Sequence, residues 1–150
     1  MTVVELMGVV CEVQAAAAGT AAGRTIRVDG TAVTEARVRG ERFLIAQALG
    51  NLVQNALEFS PAAGEVRVAL RIELGRALVI VEDHGPGVPD FARERVFERF
   101  YSLPRPDTGR KSSGLGLSIV REIARLHGGE VTLANRTGGG ARAVFSLPLA

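Results

Sequence analysis

Apolar and polar residues follow two different periods along this chain. Apolar residues recur three and four positions apart in several segments, and this spacing predicts helices at residues 3–13, 41–59, 91–100 and 115–127. In other segments the apolar residues alternate with polar ones or run continuously, which predicts strands at residues 25–28, 65–72, 77–81, 130–134 and 141–147.

The order of these elements predicts the fold class. Strands are separated by helices and the chain closes with two strands joined by a glycine-rich turn, so we expect an α/β layer sandwich on a mixed sheet. No linker divides the chain, and residues 1–150 are predicted to form one domain. Residues 102–113 break the pattern, because Pro104, Pro106 and Gly109 exclude regular structure there and the segment is basic.

The composition is that of a globular protein. Hydrophobic residues make up 47% and charged residues 23% of the chain, which separates it from disordered proteins. The apolar runs are too short to cross a bilayer, and we expect no direct membrane contact. The absence of Trp, the single Tyr and an aromatic content of 5% disfavour a nucleic acid partner, because stacking platforms are built from aromatic side chains. Cys11 is the only cysteine, which excludes an intramolecular disulfide and favours an intracellular setting.

Three polar motifs carry candidate chemistry, and the first lies on the predicted helix 41–59. Asn51 and Asn55 are four residues apart and share the face opposite the apolar stripe. Amide oxygens are hard, neutral ligands that suit a Mg²⁺ ion bridging phosphates. The alternative is an ordinary solvated helix face.

The second motif follows the apolar strand 77–81. Asp83 lies where this strand ends, and its carboxylate can accept a hydrogen bond from an exocyclic amine such as adenine N6. Gly85 and Gly87 would allow a flat base to lie against the backbone. The alternative is a turn in which the aspartate bonds to its own backbone.

The third motif opens the predicted helix 115–127. Residues 112–117 read Ser-Ser-Gly-Leu-Gly-Leu, and free backbone N–H groups at a helix N-terminus bind phosphate readily. The alternative is a simple helix start capped by Ser113. The residue before Lys111 is Arg110 rather than glycine, so this is not a P-loop, and a third glycine that would complete a dinucleotide fingerprint is missing.

The order of these motifs resembles a known family. Asn-x-x-x-Asn, Asp-x-Gly-x-Gly, Phe-Glu-Arg-Phe at residues 97–100 and Gly-Leu-Gly-Leu at residues 114–117 are similar to the N, G1, F and G2 boxes of histidine kinase catalytic domains, within the GHKL superfamily. The resemblance runs from about residue 40 to residue 147. Residues 96–105 and 111–116 look particularly like CreC-type sensor kinases.

The resemblance implies a Bergerat fold, a two-layer sandwich with helices packed on one face of a mixed, largely antiparallel sheet. It implies ATP and Mg²⁺ as cofactors, held between the Asn helix and a lid at residues 102–113. Asn55 would ligate Mg²⁺, Asp83 would recognise adenine N6, and Phe59 would pack on the base. The catalytic residues it implies are Asn51 and Arg99. The ATP-binding residues it implies are Asn51, Asn55, Phe59, Asp83, Gly85, Gly87, Val88, Tyr101, Arg105, Lys111, Ser112, Ser113, Gly114, Leu115, Gly116 and Leu117.

Two positions depart from the family pattern. Many members carry Lys where this chain has Glu58, and Arg where it has Ser102, so a basic lid residue or Arg99 is expected to supply the positive charge near the γ-phosphate. Hydrolases of the superfamily place a Glu at the position of Asn51 to activate water. Its replacement by an amide favours transfer to a protein acceptor over hydrolysis.

The phosphoacceptor of the family is a histidine on a dimerisation helix, and neither His84 nor His127 lies on such a helix. We therefore expect a fragment of a longer kinase, the cytoplasmic domain of an inner-membrane-anchored sensor. It would donate the γ-phosphoryl group of ATP to a histidine on a separate dimerisation domain, for relay to a response regulator, and would be inactive in transfer alone. The alternatives are an ATP-binding regulatory module and an anti-sigma-factor-type serine kinase.

Overall fold

The chain folds into two layers, a five-stranded sheet and a layer of α-helices on one of its faces. The computed structural model describes residues 1–21, 23–29, 33, 35–104 and 116–150. In chain order the elements are β1 (Thr2–Glu5), α1 (Leu6–Ala17), β2 (Thr25–Asp29), β3 (Arg37–Gly40), α2 (Arg42–Phe59), β4 (Glu65–Glu73), β5 (Arg76–Glu82), α3 (Gly116–Leu126), β6 (Glu130–Asn135) and β7 (Ala141–Pro148).

The topology of the sheet confirms the predicted α/β sandwich. Its strand order is β2-β4-β5-β7-β6, in which β2 and β4 are parallel and the other neighbours are antiparallel. Along β4 the side chains of Val66, Val68 and Leu70 are buried, while the residues between them are more exposed. These buried side chains pack with the apolar stripe of α2, which includes Leu49 and Leu52, in one hydrophobic core. No helix within the described ranges is long and apolar enough to span a membrane.

The first predicted helix is wrong at its beginning. Val3 lies in β1, which pairs with β3 to form a separate two-stranded sheet, and α1 begins only at Leu6. The β-branched residues in this strand prefer extended backbone. Glu5 then ends the strand and caps the helix, because its carboxylate accepts from the backbone N–H groups of Met7 at 3.0 Å and Gly8 at 2.7 Å.

The helix predicted at residues 91–100 is also wrong. The structure has two 3₁₀ turns there, Asp90–Ala92 and Arg95–Phe97, and their backbone hydrogen bonds span three residues rather than four. Ala92, Val96 and Phe97 are buried and join the core. Tertiary packing of these three side chains therefore replaces the regular helix that the apolar spacing indicated.

His127 joins the C-terminal end of α3 to the N-terminal end of α2. The side chain is 7% exposed. Its Nδ1 lies 2.7 Å from the Ile123 carbonyl oxygen, and its Nε2 lies 3.1 Å from the Glu41 backbone nitrogen. A carbonyl only accepts and an N–H only donates, so the ring is a neutral imidazole protonated on Nδ1. This contact sets α2 and α3 side by side.

Candidate functional site

A cleft lies between α2, the turn after β5 and the first residues of α3. Its volume is about 190 Å³, whereas two other cavities have volumes of about 10 Å³ each. Those two are too small to hold more than a water molecule. The described residues that line the cleft are Asn51, Gln54, Asn55, Glu58, Phe59, Asp83, Gly87, Val88, Val96, Tyr101, Ser102, Leu103, Gly116, Leu117, Leu133 and Ala141.

One wall of the cleft is the polar face of α2. Asn51, Asn55 and Phe59 follow one another at intervals of four residues, so they lie in a row along the helix. The Asn51 Nδ2 donates to the carbonyl oxygen of Gly116 at 3.2 Å, which fixes the first residue of α3 against this wall. Glu58 lies in the same wall, with its Oε1 3.5 Å from the Nε2 of Gln54.

The opposite wall holds Asp83, which follows the last residue of β5 and is 5% exposed. Its Oδ1 accepts from the backbone N–H of Gly85 at 2.8 Å and of Ala141 at 3.2 Å. In the part of the chain that the structure describes, both hydrogen bonds to this carboxylate go to Oδ1. Since Asp83 also lines the cleft, Oδ2 can accept from a donor that enters it.

Burial raises the pKa of the Asp83 carboxyl above its ordinary range, because removal from water penalises the charged form. Hydrogen bonds from Gly85 and Ala141 oppose this shift, and the nearby His84 and Arg136 oppose it further. Burial thus makes the charge of the Asp83 carboxylate costly. A ligand that donates to it would reduce that cost.

The two glycines of this turn have different surroundings. A Cβ on Gly85 would overlap the carbonyl of Phe59, so this glycine allows the turn to pass closely under the end of α2. Gly85 is not among the residues that line the cleft. Gly87 does line it, and its backbone has a φ of +81°, a conformation that favours glycine.

Arg99 of the Phe-Glu-Arg-Phe segment and Tyr101, which follows the segment, are predicted site residues, and only Tyr101 lies in the cleft. Tyr101 lines the cleft, and the guanidinium carbon of Arg95 lies 5.0 Å from the centroid of its ring. Arg99 is exposed and does not line the cleft, and its guanidinium carbon lies 5.4 Å from the ring centroid of Phe100. The structure therefore brings Asn51 to the cleft without the second predicted catalytic residue.

Most of the predicted lid lies outside the described residues. Residues 102–104 are described, and Ser102 and Leu103 line the cleft. The predicted ATP-binding residues that lie outside the described residues are Arg105, Lys111, Ser112, Ser113, Gly114 and Leu115. At the other end of this segment, Gly116 and Leu117 begin α3 and line the cleft.

Asn135, the last residue of β6, and Arg136, the first residue of the β6–β7 turn, support the site and were not predicted. The side-chain amide of Asn135 bonds to the backbone of Val88, and Arg136 donates to His84 and to the backbone near Asp83. One signal was available in the alternation of β6, where Val131 and Leu133 are buried. Asn135 has the same parity, so its side chain lies on the same face of β6 as those of Val131 and Leu133.

The polar groups of the cleft suit a metal ion held largely by water and phosphate. Asn55 offers one neutral amide oxygen. Within the described ranges, no three His, Cys, Asp or Glu side chains gather into a cluster that could hold a metal. Mg²⁺ keeps several of its waters and binds through phosphate oxygens and few protein ligands, so it fits such a site better than metals that need a protein cage.

The sequence of the chain matches a family of ATPases. The family described as "Histidine kinase-, DNA gyrase B-, and HSP90-like ATPase" matches residues 40–150. The sensor protein CreC of Escherichia coli (strain K12) is 49% identical over 114 residues, which is 76% of this chain and 24% of CreC. The predicted similarity to CreC-type sensor kinases is confirmed. The chain spans about a quarter of the length of CreC.

Solved structures show the same fold. The mycobacterial sensor histidine kinase MprB has a TM-score of 0.84 at 30% identity, over 98% of this chain and 96% of that chain. Full-length ShkA in complex with AMPPNP has a TM-score of 0.82 at 30% identity, over 98% and 30% of the two chains.

Histidine kinase ThkA in complex with the response regulator protein TrrA has a TM-score of 0.78 at 26% identity, over 99% of this chain and 42% of that chain. The chain therefore belongs to the family of histidine kinase-, DNA gyrase B- and HSP90-like ATPases, within which it is similar to the catalytic domains of sensor histidine kinases.

Proposed function

We propose that this chain binds Mg-ATP in the cleft and donates the γ-phosphoryl group to a histidine on a separate dimerisation domain, for relay to a response regulator. The observation that carries the proposal is the Asp83 carboxylate, which is buried, held through Oδ1 and lines the cleft beside Val88. A buried acceptor between apolar side chains suits the exocyclic amine of adenine. ShkA, a structural neighbour, was solved with AMPPNP, which is an ATP analogue.

The phosphates of ATP would extend along α2 toward the start of α3. Asn51 and Asn55 line the cleft on this side, and Gly116 opens α3 against Asn51. Mg²⁺, when bound, neutralises charge that develops on the phosphate oxygens. Asn55 would ligate this ion, and the positive end of α3 would face the phosphates. The predicted lid residues would complete the site.

The absence of a carboxylate at Asn51 agrees with a histidine acceptor. A neutral imidazole nitrogen already carries a free electron pair, so no general base is needed to activate it. This nitrogen forms a bond to phosphorus, and the bond between the γ-phosphorus and the bridging oxygen breaks to release ADP. The structural neighbour ThkA was solved with the response regulator protein TrrA, which supports a response regulator as the next acceptor.

The length of the chain relative to CreC supports the proposed place in a larger protein. Three quarters of CreC lies outside the match, and a dimerisation domain and a membrane-anchored sensor would fit in that part. We propose that this domain lies on the cytoplasmic side, where ATP is available.

One observation favours a second function, a regulatory module that binds ATP without transferring phosphate. Glu58 and Ser102 both line the cleft, where many relatives are expected to carry basic side chains. A carboxylate near the phosphates would oppose the build-up of negative charge during transfer.

An assay of phosphoryl transfer to a separate dimerisation domain distinguishes the kinase from the regulatory module. The chain is mixed with labelled ATP, Mg²⁺ and the isolated dimerisation domain of CreC, and acid-labile, base-stable phosphate on that domain is measured. We expect label on the dimerisation domain and none on the chain alone. A dimerisation domain in which the acceptor histidine is replaced by glutamine is the control.

Binding of ATP with no label transferred would contradict the kinase function. Glu58→Lys identifies the cause in that case, because recovery of transfer in this variant would assign the loss to the carboxylate and support the regulatory module.

A further inference from the structure

Asn135, at the end of β6, and Arg136, in the turn that follows, make hydrogen bonds to the segment after β5. The side-chain amide of Asn135 makes two hydrogen bonds to the backbone of Val88: Oδ1 accepts from the Val88 N–H at 2.7 Å, and Nδ2 donates to the Val88 carbonyl at 3.0 Å. One amide thus pairs with both polar groups of one residue, as a neighbouring strand would. This fixes the position and orientation of Val88 in the wall of the cleft.

Arg136, the next residue, holds the other end of the same segment. Its Nε donates to the Glu82 carboxylate at 3.2 Å, and its Nη1 lies 2.9 Å from His84 Nδ1, 3.5 Å from the Asp83 carbonyl oxygen and 3.0 Å from the Gly139 carbonyl oxygen. Because the guanidinium only donates, His84 Nδ1 accepts. The bond to the turn's own carbonyl keeps Arg136 in place.

The β6–β7 turn and the segment after β5 can lie this close together only because glycines occupy the points of contact. A Cβ on Gly140 would overlap the carbonyl of Asp83, and a Cβ on Gly87 would lie 2.7 Å from the Oδ1 of Asn135. Both glycines have positive φ, +91° and +81°. The contact between turn and segment is therefore close at both ends, and a shift of the turn would be transmitted to Asp83.

We propose that Asn135 and Arg136 are positioning residues for purine recognition, which hold the segment from Asp83 to Val88 so that the Asp83 carboxylate meets the 6-amino group of the base. This inference rests on the proposed ATP-binding function. It goes beyond that function because it assigns base selectivity to two residues that do not line the cleft.

The hydrogen bonds of Asn135 are not needed for the sheet. Asn135 already pairs with Ala141 through the backbone of the β6–β7 ladder, and its side chain adds no bond to that ladder. Val88 and Asp83, the residues held by the turn, both line the cleft. The side chain of Asn135 thus acts on the wall of the cleft rather than on the hairpin that carries it.

This arrangement predicts a preference between purines. A carboxylate accepts from the 6-amino group of ATP, whereas it repels the 6-oxo group of ITP, which is otherwise the same ligand. The wild-type chain should therefore bind ATP more tightly than ITP. When the segment is released, Asp83 loses its fixed position, and the two affinities should converge.

The test measures Mg-ATP and Mg-ITP affinities of the complete chain by calorimetry, together with the thermal midpoint of each variant. Asn135→Ala should weaken ATP binding about tenfold, as expected for the loss of roughly one fixed hydrogen bond to the ligand, with little change for ITP.

Arg136→Lys, which keeps the charge but not the planar fork, should act in the same direction. Asn135→Asp keeps the acceptor for the Val88 N–H but sets an oxygen against the Val88 carbonyl, so it should weaken ATP binding at least as much as Asn135→Ala. Thr137→Ala, an exposed change in the same turn, is the matched control.

The ratio of the two affinities distinguishes positioning from a purely structural role. Loss of stability alone would lower the ATP and ITP affinities together, and that outcome would overturn the inference, as would an unchanged ratio in Asn135→Ala. Binding of ATP by the wild type with these results would leave the proposed function intact. A wild-type chain that binds neither nucleotide would refute the proposed function itself, and the inference with it.

Discussion

At the scale of single residues, Asp83 is subject to two opposing requirements. Burial beside the cleft disfavours its charge and raises its pKa, while the N–H groups of Gly85 and Ala141 stabilise that charge through Oδ1. The remaining oxygen can serve a ligand. The burial that would make this oxygen selective for an amine therefore lowers the stability of the protein.

Replacement of Asp83 by asparagine separates the two requirements. In Asp83→Asn the amide oxygen can still accept from Gly85 and Ala141, but the amide nitrogen would then face the cleft as a donor. A donor opposite the 6-amino group costs about 1–3 kcal/mol. We expect ATP affinity to fall by about five- to a hundredfold in calorimetry, with the fold intact by circular dichroism. Unchanged affinity in a folded variant would remove Asp83 from base recognition.

The same variant tests the direction of the pKa shift. A carboxyl whose pKa is raised on folding contributes stability at low pH, and this contribution is lost as pH rises through the folded-state pKa. Asparagine does not titrate, so the stability of Asp83→Asn does not change with pH for this reason. The free energy of unfolding of wild type minus that of Asp83→Asn should therefore decrease with rising pH in the acidic range and become level above it. Denaturant titrations at a series of pH values measure this difference, and an increase with pH would contradict it.

At the scale of elements, α2 and α3 are coupled by polar contacts at both ends of their interface. His127 bonds to Ile123 and to the backbone of Glu41 at one end, and Asn51 bonds to Gly116 at the other. Space is tight at the first end, since a Cβ on Gly40 would lie 2.6 Å from the His127 ring. The position of α3 against the cleft thus depends on a contact remote from the ligand.

Removal of the His127 side chain should destabilise the fold. His127→Ala leaves the Glu41 N–H without its acceptor and opens a cavity, which should lower the free energy of unfolding by about 2–4 kcal/mol. Leu126→Ala, at a neighbouring side chain that is 59% exposed, should change it by less than about 0.5 kcal/mol. Thermal melts of both variants measure the effect. Equal midpoints would show that His127 does not join the two helices.

The elements also show which features are predictable from the chain. The helix predicted at residues 41–59 is confirmed within one residue, because its apolar stripe continues from Ile45 to Leu57 without a break in the helical spacing. The short strand β3 (Arg37–Gly40) was missed because it contains one large apolar residue, Val38, and local pattern does not reveal a pairing with β1. Val3 was assigned to a helix for the same reason, since its partner Arg39 is remote in sequence.

The residues of the candidate site also fall into those that a local motif reveals and those that only remote contacts reveal. Asn51, Asn55 and Asp83 were proposed from motifs in which each side chain has a recognisable local context, and the structure brings all three to one cleft. Asn135 and Arg136 could not be found in this way. Their hydrogen bonds reach residues about fifty positions away, and only the β5–β7 pairing brings the two segments together.

At the scale of the whole molecule, the cleft is built from parts that are far apart in the chain. Asn55 from α2, Asp83 after β5 and Leu117 from α3 line the same space, and the β6–β7 turn supports one side of it. A ligand that contacts all these parts favours the folded state over the unfolded one. At a concentration about a hundred times its dissociation constant, it should stabilise the chain by about 2.7 kcal/mol.

Because a bound ligand raises the stability of the folded chain, thermal melts can test the metal and base parts of the site separately. In wild type, Mg-ATP should raise the thermal midpoint more than ATP with a chelator, because Asn55 and the phosphates share the ion. In Asn55→Ala that increment should disappear, while the smaller shift caused by adenosine, which has no phosphate, should remain. Gln47→Ala removes an exposed amide from the same helix and should leave both shifts unchanged. If Asn55→Ala kept the Mg²⁺ increment, the ion would have to be held elsewhere. If it lost the adenosine shift as well, Asn55 would act on the cleft as a whole rather than on the metal.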